Sequence, residues 1–124
     1  MPLDGTGYER RIHALDKMDE MIDLLSDERR WCKGFLKTPD GRYCILGAMQ
    51  AVRAGKELAE PIMLAISQVT GRSQWIDRFN DHPLTAHADV LKVLQQARVN
   101  ILTLDPTTPK QHVGGWARLW SVFC

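Results

Sequence analysis

Tyr8–Ser26, YERRIHALDKMDEMIDLLS, is the stretch that decides the fold class. Ile12, Leu15, Met18, Ile22 and Leu25 recur at steps of three and four residues, which stacks them on one face of a helix. Asp16, Asp19, Glu20 and Asp23 fall on the other side, so one face meets a core and the other meets water. A chain of 124 residues has room for a single core, and the segments that follow must cover this face.

They repeat its periodicity. Cys44–Arg53, CILGAMQAVR, puts Ile45, Ala48, Met49 and Val52 on one stripe, with Gly55 as the expected stop. Small residues at Gly47 and Ala48 would let another helix approach closely. Residues 58–70 restart a helix with Pro61 in its first turn, Ile62, Ile66 and Val69 inward, and Gly71 as the stop. Residues 86–104 carry Val90, Leu94, Ala97, Ile101 and Leu104 on one face, with Thr85 as the expected cap. The spacing therefore predicts a mainly α domain over 1–105, with four to five helices.

Between the first two helices the pattern breaks. Thr38–Pro39–Asp40–Gly41 has the ingredients of a tight turn: proline presets φ, aspartate bonds its own backbone, and glycine accepts positive φ. Residues 31–43 read as a small β-hairpin or an ordered loop. SQWIDRFNDHP, residues 73–83, reads as an aromatic and polar connector in which Trp75 and Phe79 plug the core. After Asp105, PTTPKQHVGG is a linker by composition. It leads to Trp116, Leu119, Trp120 and Phe123 at i, i+3, i+4 and i+7. A helix that short is not stable alone, so 106–124 is expected to dock on the domain or on a partner.

Composition excludes several functions. No run approaches the ~20 apolar residues of a membrane helix, and MPLDGTGYERR has no apolar signal core, so a cytoplasmic protein without membrane contact is expected. Residues 1–28 hold eight acids against three bases, a charge of −5, which leaves +6 on the remainder for a total of +1. Opposite charges spread over one small domain complement each other without an external partner.

Four kinds of chemistry deserve weighing. Cys44 at a helix start is a candidate nucleophile, because N–H groups there favour a thiolate. It would need His82, His87 or His112 as base, and none sits in a recognisable catalytic motif. A metal set of Cys32, Cys44, His82 and His87 lacks ligand spacing except for His82-x4-His87, so no metal and no cofactor are expected. Arg29, Arg30, Lys33, Lys37 and Arg42 interleave with Trp31, Phe35 and Tyr43, a nucleic-acid pattern diluted by Asp27, Glu28 and Asp40 and therefore disfavoured. The hairpin would also allow a Cys32–Cys44 bridge, which a reducing compartment disfavours.

The order Trp31, Gly34, Gly41–Arg42, Cys44–Ile45–Leu46–Gly47–Ala48, Phe79–Asn80–Asp81, Thr85 and Asp89–Val90 resembles a family of small bacterial proteins of unknown function. Its members read W-x2-G, C-L-x-G-A-L, W-N-D, T and E-V-x-x-L-x-x-A over about residues 10–102. Ile45, Met49, Phe79 and Asp89 depart mildly from that pattern. The resemblance implies a fold and a cluster of positions, and no reaction. The residues then point to a face formed by Trp31, Arg42, Cys44, Asn80, Asp81 and Thr85 as the candidate binding site. Trp116, Trp120 and Phe123 are candidate contacts for a protein partner or a second copy.

Overall fold

The apolar stripes of the helices meet around the helix His87–Thr103, which packs against both Pro2–Leu25 and Lys56–Thr70. The computed structural model describes residues 2–103, with side chains from Arg10 onward. The described residues form α1 (Pro2–Leu25), α2 (Ile45–Ala51), α3 (Lys56–Thr70), α4 (Ile76–Asp81) and α5 (His87–Thr103), with a 3-10 turn at Glu28–Arg30. The fold is mainly α, as the periodicity predicts. Leu104, Trp116, Trp120 and Phe123 lie outside the described residues, as does the expected docking of 106–124.

In α1 the buried stripe is Ala14, Met18, Met21 and Leu25, rotated from the expected one. Leu15 and Ile22 pack on its flank, and Ile12 is exposed. Ala14 and Met21 shift the buried face away from Ile12, Leu15 and Ile22, and a stripe anchored on those residues leaves them out. α5 buries Val90, Val93, Leu94, Ala97 and Ile101. Its one polar intruder, Asn100, donates from Nδ2 to the Pro61 carbonyl (3.1 Å) and to Gln68 Oε1 (2.9 Å), and so ties α5 to α3. Arg98 reaches Asp19 across the surface at 2.7 Å and links α5 to α1.

Helix ends depart from expectation in instructive ways. α2 stops before Gly55, because Ala54 N–H donates to Met49 O (2.9 Å) and Arg53 N–H to Gln50 O (3.0 Å). That pair of bonds is the Schellman closure, and it forces Arg53 to φ +59, where glycine is the usual occupant. Lys17 Nζ donates to the Arg53 carbonyl at 2.6 Å and anchors this corner to α1. Gly55 instead precedes α3, so Pro61 sits in the second turn rather than the first. Ile62 and Ile66 are buried, Val69 is partly buried, and Gly71 ends α3 at φ +78 as expected. Thr85 is not the cap of α5. The helix begins at His87, and Asp89 Oδ2 accepts the N–H of the preceding Ala86 at 2.9 Å. This is the carboxylate half of a capping box.

The hairpin alternative for residues 31–43 is not what forms. Tyr43 is the centre of an ordered loop, with a parallel bridge to Trp31 and an antiparallel bridge to Lys37. The turn at its tip is as predicted: Gly41 at φ +89 donates to the Thr38 carbonyl at 3.0 Å. Gly47 serves this loop rather than a neighbouring helix. A Cβ there would lie 1.7 Å from the Leu36 carbonyl oxygen, so the loop backbone rests directly on α2.

Candidate functional site

α4 was hidden inside the connector, and its burial pattern explains why it forms. Ile76 and Phe79 face inward, and the turn between them places Asn80 at zero exposure. Trp75, expected in the core, is 55% exposed at the helix entry. A helix of six residues is too short to reveal itself by periodicity, and tertiary contacts with α2 and α3 hold it.

Asn80 is the junction of this corner. Its Oδ1 accepts the Trp31 indole N–H at 2.8 Å and the Ile45 backbone N–H at 3.1 Å. Its Nδ2 donates to the Cys32 carbonyl at 3.1 Å and to Asp81 Oδ1 at 2.9 Å. Both lone pairs and both protons of the amide are thus used. The same Asp81 oxygen accepts the Gly34 N–H at 2.9 Å, and Gly34 reaches it with φ +84. Lys33 completes the clasp by donating to the His82 carbonyl at 2.7 Å while lying 5.6 Å from the Trp31 ring. Three separate pieces of chain are therefore locked by one carboxamide and its neighbour.

The other expected residues divide. Trp31, Asn80 and Asp81 come together directly, and Cys44 adjoins them through Ile45. Arg42 is outside this hydrogen-bond network: its Nε binds Asp40 Oδ2 at 3.1 Å, and it meets Trp31 only as lining of a common groove. Thr85 is nearly buried, its N–H donating to the His82 carbonyl at 3.0 Å.

Cys44 opens α2 and its Sγ accepts the Gly47 N–H at 3.3 Å. Burial nevertheless wins over the helix N–H groups, and the thiol is pushed up from its ordinary range. The expectation that the helix start would favour a thiolate is reversed by desolvation. Of the histidines weighed as bases, His112 lies outside the described residues, and the other two face backbone groups. His82 Nδ1 accepts the Leu84 N–H at 3.1 Å. His87 Nε2 lies 2.6 Å from the Leu25 carbonyl, which can only accept, so that nitrogen carries a proton. The His87 ring also sits 5.9 Å from that of Trp31. Among the described residues no group of three or more His, Cys, Asp or Glu side chains is arranged to hold a metal ion.

Outside the clasp lies an open groove of about 480 Å³, lined by Trp31, Cys32, Lys33, Phe35, Thr38, Asp40 and Arg42. Phe35 is 66% exposed beside it. Leu84, on the loop that Lys33 and Gly34 grip, is 85% exposed. Phe35 stood out in the sequence only as one aromatic of the basic cluster, and Leu84 not at all, because a lone Leu in a loop carries no periodic signal. No helix of the described residues is long and apolar enough to cross a membrane. The model of a family of unknown function, DUF6197, matches residues 10–100. No curated protein and no solved structure matches the chain.

Proposed function

The chain belongs to DUF6197, a family of unknown function, and from that premise we propose that it is a recognition module acting through protein–protein contacts. One observation carries the reading: every hydrogen-bonding capacity of Asn80 is spent inside the fold. The polar residues that looked like a site are the fastening of a platform. Beside the polar groove, that platform offers outward the exposed apolar Phe35 and Leu36 on one loop and Leu84 on the next. Exposed apolar side chains on a rigid support suit a partner surface better than a small substrate. The aromatic tail, with Trp116, Trp120 and Phe123, supplies a second contact element for a partner or another copy.

The enzyme alternative is weaker, because Cys44 is a protonated cap and His82 and His87 are turned to backbone groups. Nucleic-acid binding is weaker too. Arg29 is paired with Asp27 at 3.1 Å and Arg42 with Asp40, so two of the five bases in the cluster are already neutralised within the fold.

The test is native pull-down of the full chain with mass spectrometry, set beside a Phe35→Asp/Leu84→Asp variant of unchanged melting temperature. A defined partner should be recovered with the wild type and lost at least about tenfold with the variant. Recovery of the same proteins by both would refute the reading. Light scattering of the full chain and of one ending at Asp105 then tells whether the tail contributes: identical, equally stable monomers would remove it as a contact element.

A further inference from the structure

We infer that Cys32 and Cys44 are a thiol-modification site, a pair that a low-molecular-weight disulfide converts into an intramolecular disulfide. The register of the loop carries this. Tyr43 N–H donates to the Arg30 carbonyl at 2.7 Å, and the Tyr43 carbonyl accepts the Cys32 N–H at 3.0 Å. This is the bond pattern of the parallel Trp31–Tyr43 bridge, and it sets the next residues, Cys32 and Cys44, opposite each other. Cys44 continues in extended backbone, at φ −84 and ψ 177. A side-chain period of two offsets this pair from Trp31 and Tyr43; the Cys32 Sγ–H donates to the Phe35 carbonyl at 3.4 Å, a bond that it gives up on reacting. Neighbouring strands lie ~4.8 Å apart, inside the ~4.4–6.8 Å Cα separation that a disulfide spans.

Both cysteines are free thiols, and their exposure assigns an order of events. Cys32 is half-buried and lines the open groove, whereas Cys44 is buried behind it. Cys32 gives its proton to solvent and its thiolate attacks one sulfur of the reagent, whose S–S bond breaks and releases one thiolate. Cys44, deprotonated in turn, attacks Cys32 Sγ of the mixed disulfide and displaces the second thiolate. The protein loses two S–H bonds and gains one S–S bond. The reagent's disulfide takes up the two electrons and, with the two protons, leaves as two thiols. Burial pushes both thiols up, and the negative charge of a Cys44 thiolate would raise Cys32 further, so the reaction accelerates in alkali.

This site is independent of the recognition reading and stands or falls separately. The full chain and its Cys124→Ser variant, which removes the competing thiol, are incubated with oxidised glutathione and digested without reduction. The expected product is a monomer two hydrogens lighter with a Cys32–Cys44 cross-link, formed about tenfold faster per pH unit below the thiol range. Cys32→Ser, which leaves the α2 cap intact, should give no cross-link and an unmodified Cys44. A glutathione adduct that persists on Cys32, or a Cys44 that still alkylates after exhaustive oxidation of the wild type, overturns the inference.

Discussion

Ile66 in α3 and Asn80 in α4 are equally sealed from water, yet they hold the molecule by different physics. Ile66 belongs to the α1–α3–α5 stack, where burial is roughly proportional to area and has no preferred direction. Many side chains of similar size would serve there. Asn80 belongs to the corner made by the 31–44 loop, α2 and α4, where four directed bonds converge on one amide. No other side chain offers two acceptor sites and two protons in that shape, glutamine being longer by one methylene. The stack supplies bulk stability, and the corner fixes the geometry of the exposed loop.

The sharpest break of that comparison comes from Gly47→Ala. One methyl group would be trivial in the stack. Here it meets the Leu36 carbonyl at 1.7 Å and the Leu36 carbon at 2.6 Å, both backbone atoms that cannot turn aside. The variant should lose about 4 kcal/mol in urea unfolding, or keep α1, α3 and α5 while the loop detaches. A loss under about 1 kcal/mol with an unchanged loop would show that the close approach is not a constraint.

The next pair weighs the two regions directly. Asn80→Ala strands the Trp31 indole N–H, the Ile45 N–H and the Cys32 carbonyl, and should cost about 3 kcal/mol. Ile66→Val removes one methylene from the stack and should cost about 1 kcal/mol. Near-ultraviolet circular dichroism of Trp31 separates them further: Asn80→Ala should flatten its signal and Ile66→Val should not. Equal costs with equal spectra would abolish the distinction.

What could be read from the sequence follows the same divide. Apolar periodicity found α1, α2, α3 and α5, because the stack obeys a repeat that any window of the chain displays. It misjudged the face of α1, since several apolar stripes fit a helix of this length and only packing selects the one through Ala14 and Met21. The corner has no repeat. α4 is too short to show one, and the role of Asn80 depends on partners 35 and 49 positions away. Yet the residues that carry the family resemblance, Trp31, Gly34, Cys44, Gly47, Asn80 and Asp81, are largely those of the clasp. Their spacing was legible before their purpose was. It marks an architectural fastening, in which each residue is special because of what it must touch.

The smallest effect expected is also of opposite sign. Arg53 adopts φ +59 so that α2 can close through the Met49 and Gln50 carbonyls. A side chain in that conformation costs about 1–2 kcal/mol, while a glycine loses up to about 1 kcal/mol of extra chain entropy on folding. Arg53→Gly should therefore stabilise by about 0.5–1 kcal/mol, read as a higher urea midpoint at constant slope. The carbonyl that receives Lys17 is backbone and survives the change. A midpoint that falls would mean that the Arg53 side chain itself binds something worth more than the strain, and the corner between α2 and α3 would then join the loop as a place where directed contacts outweigh burial.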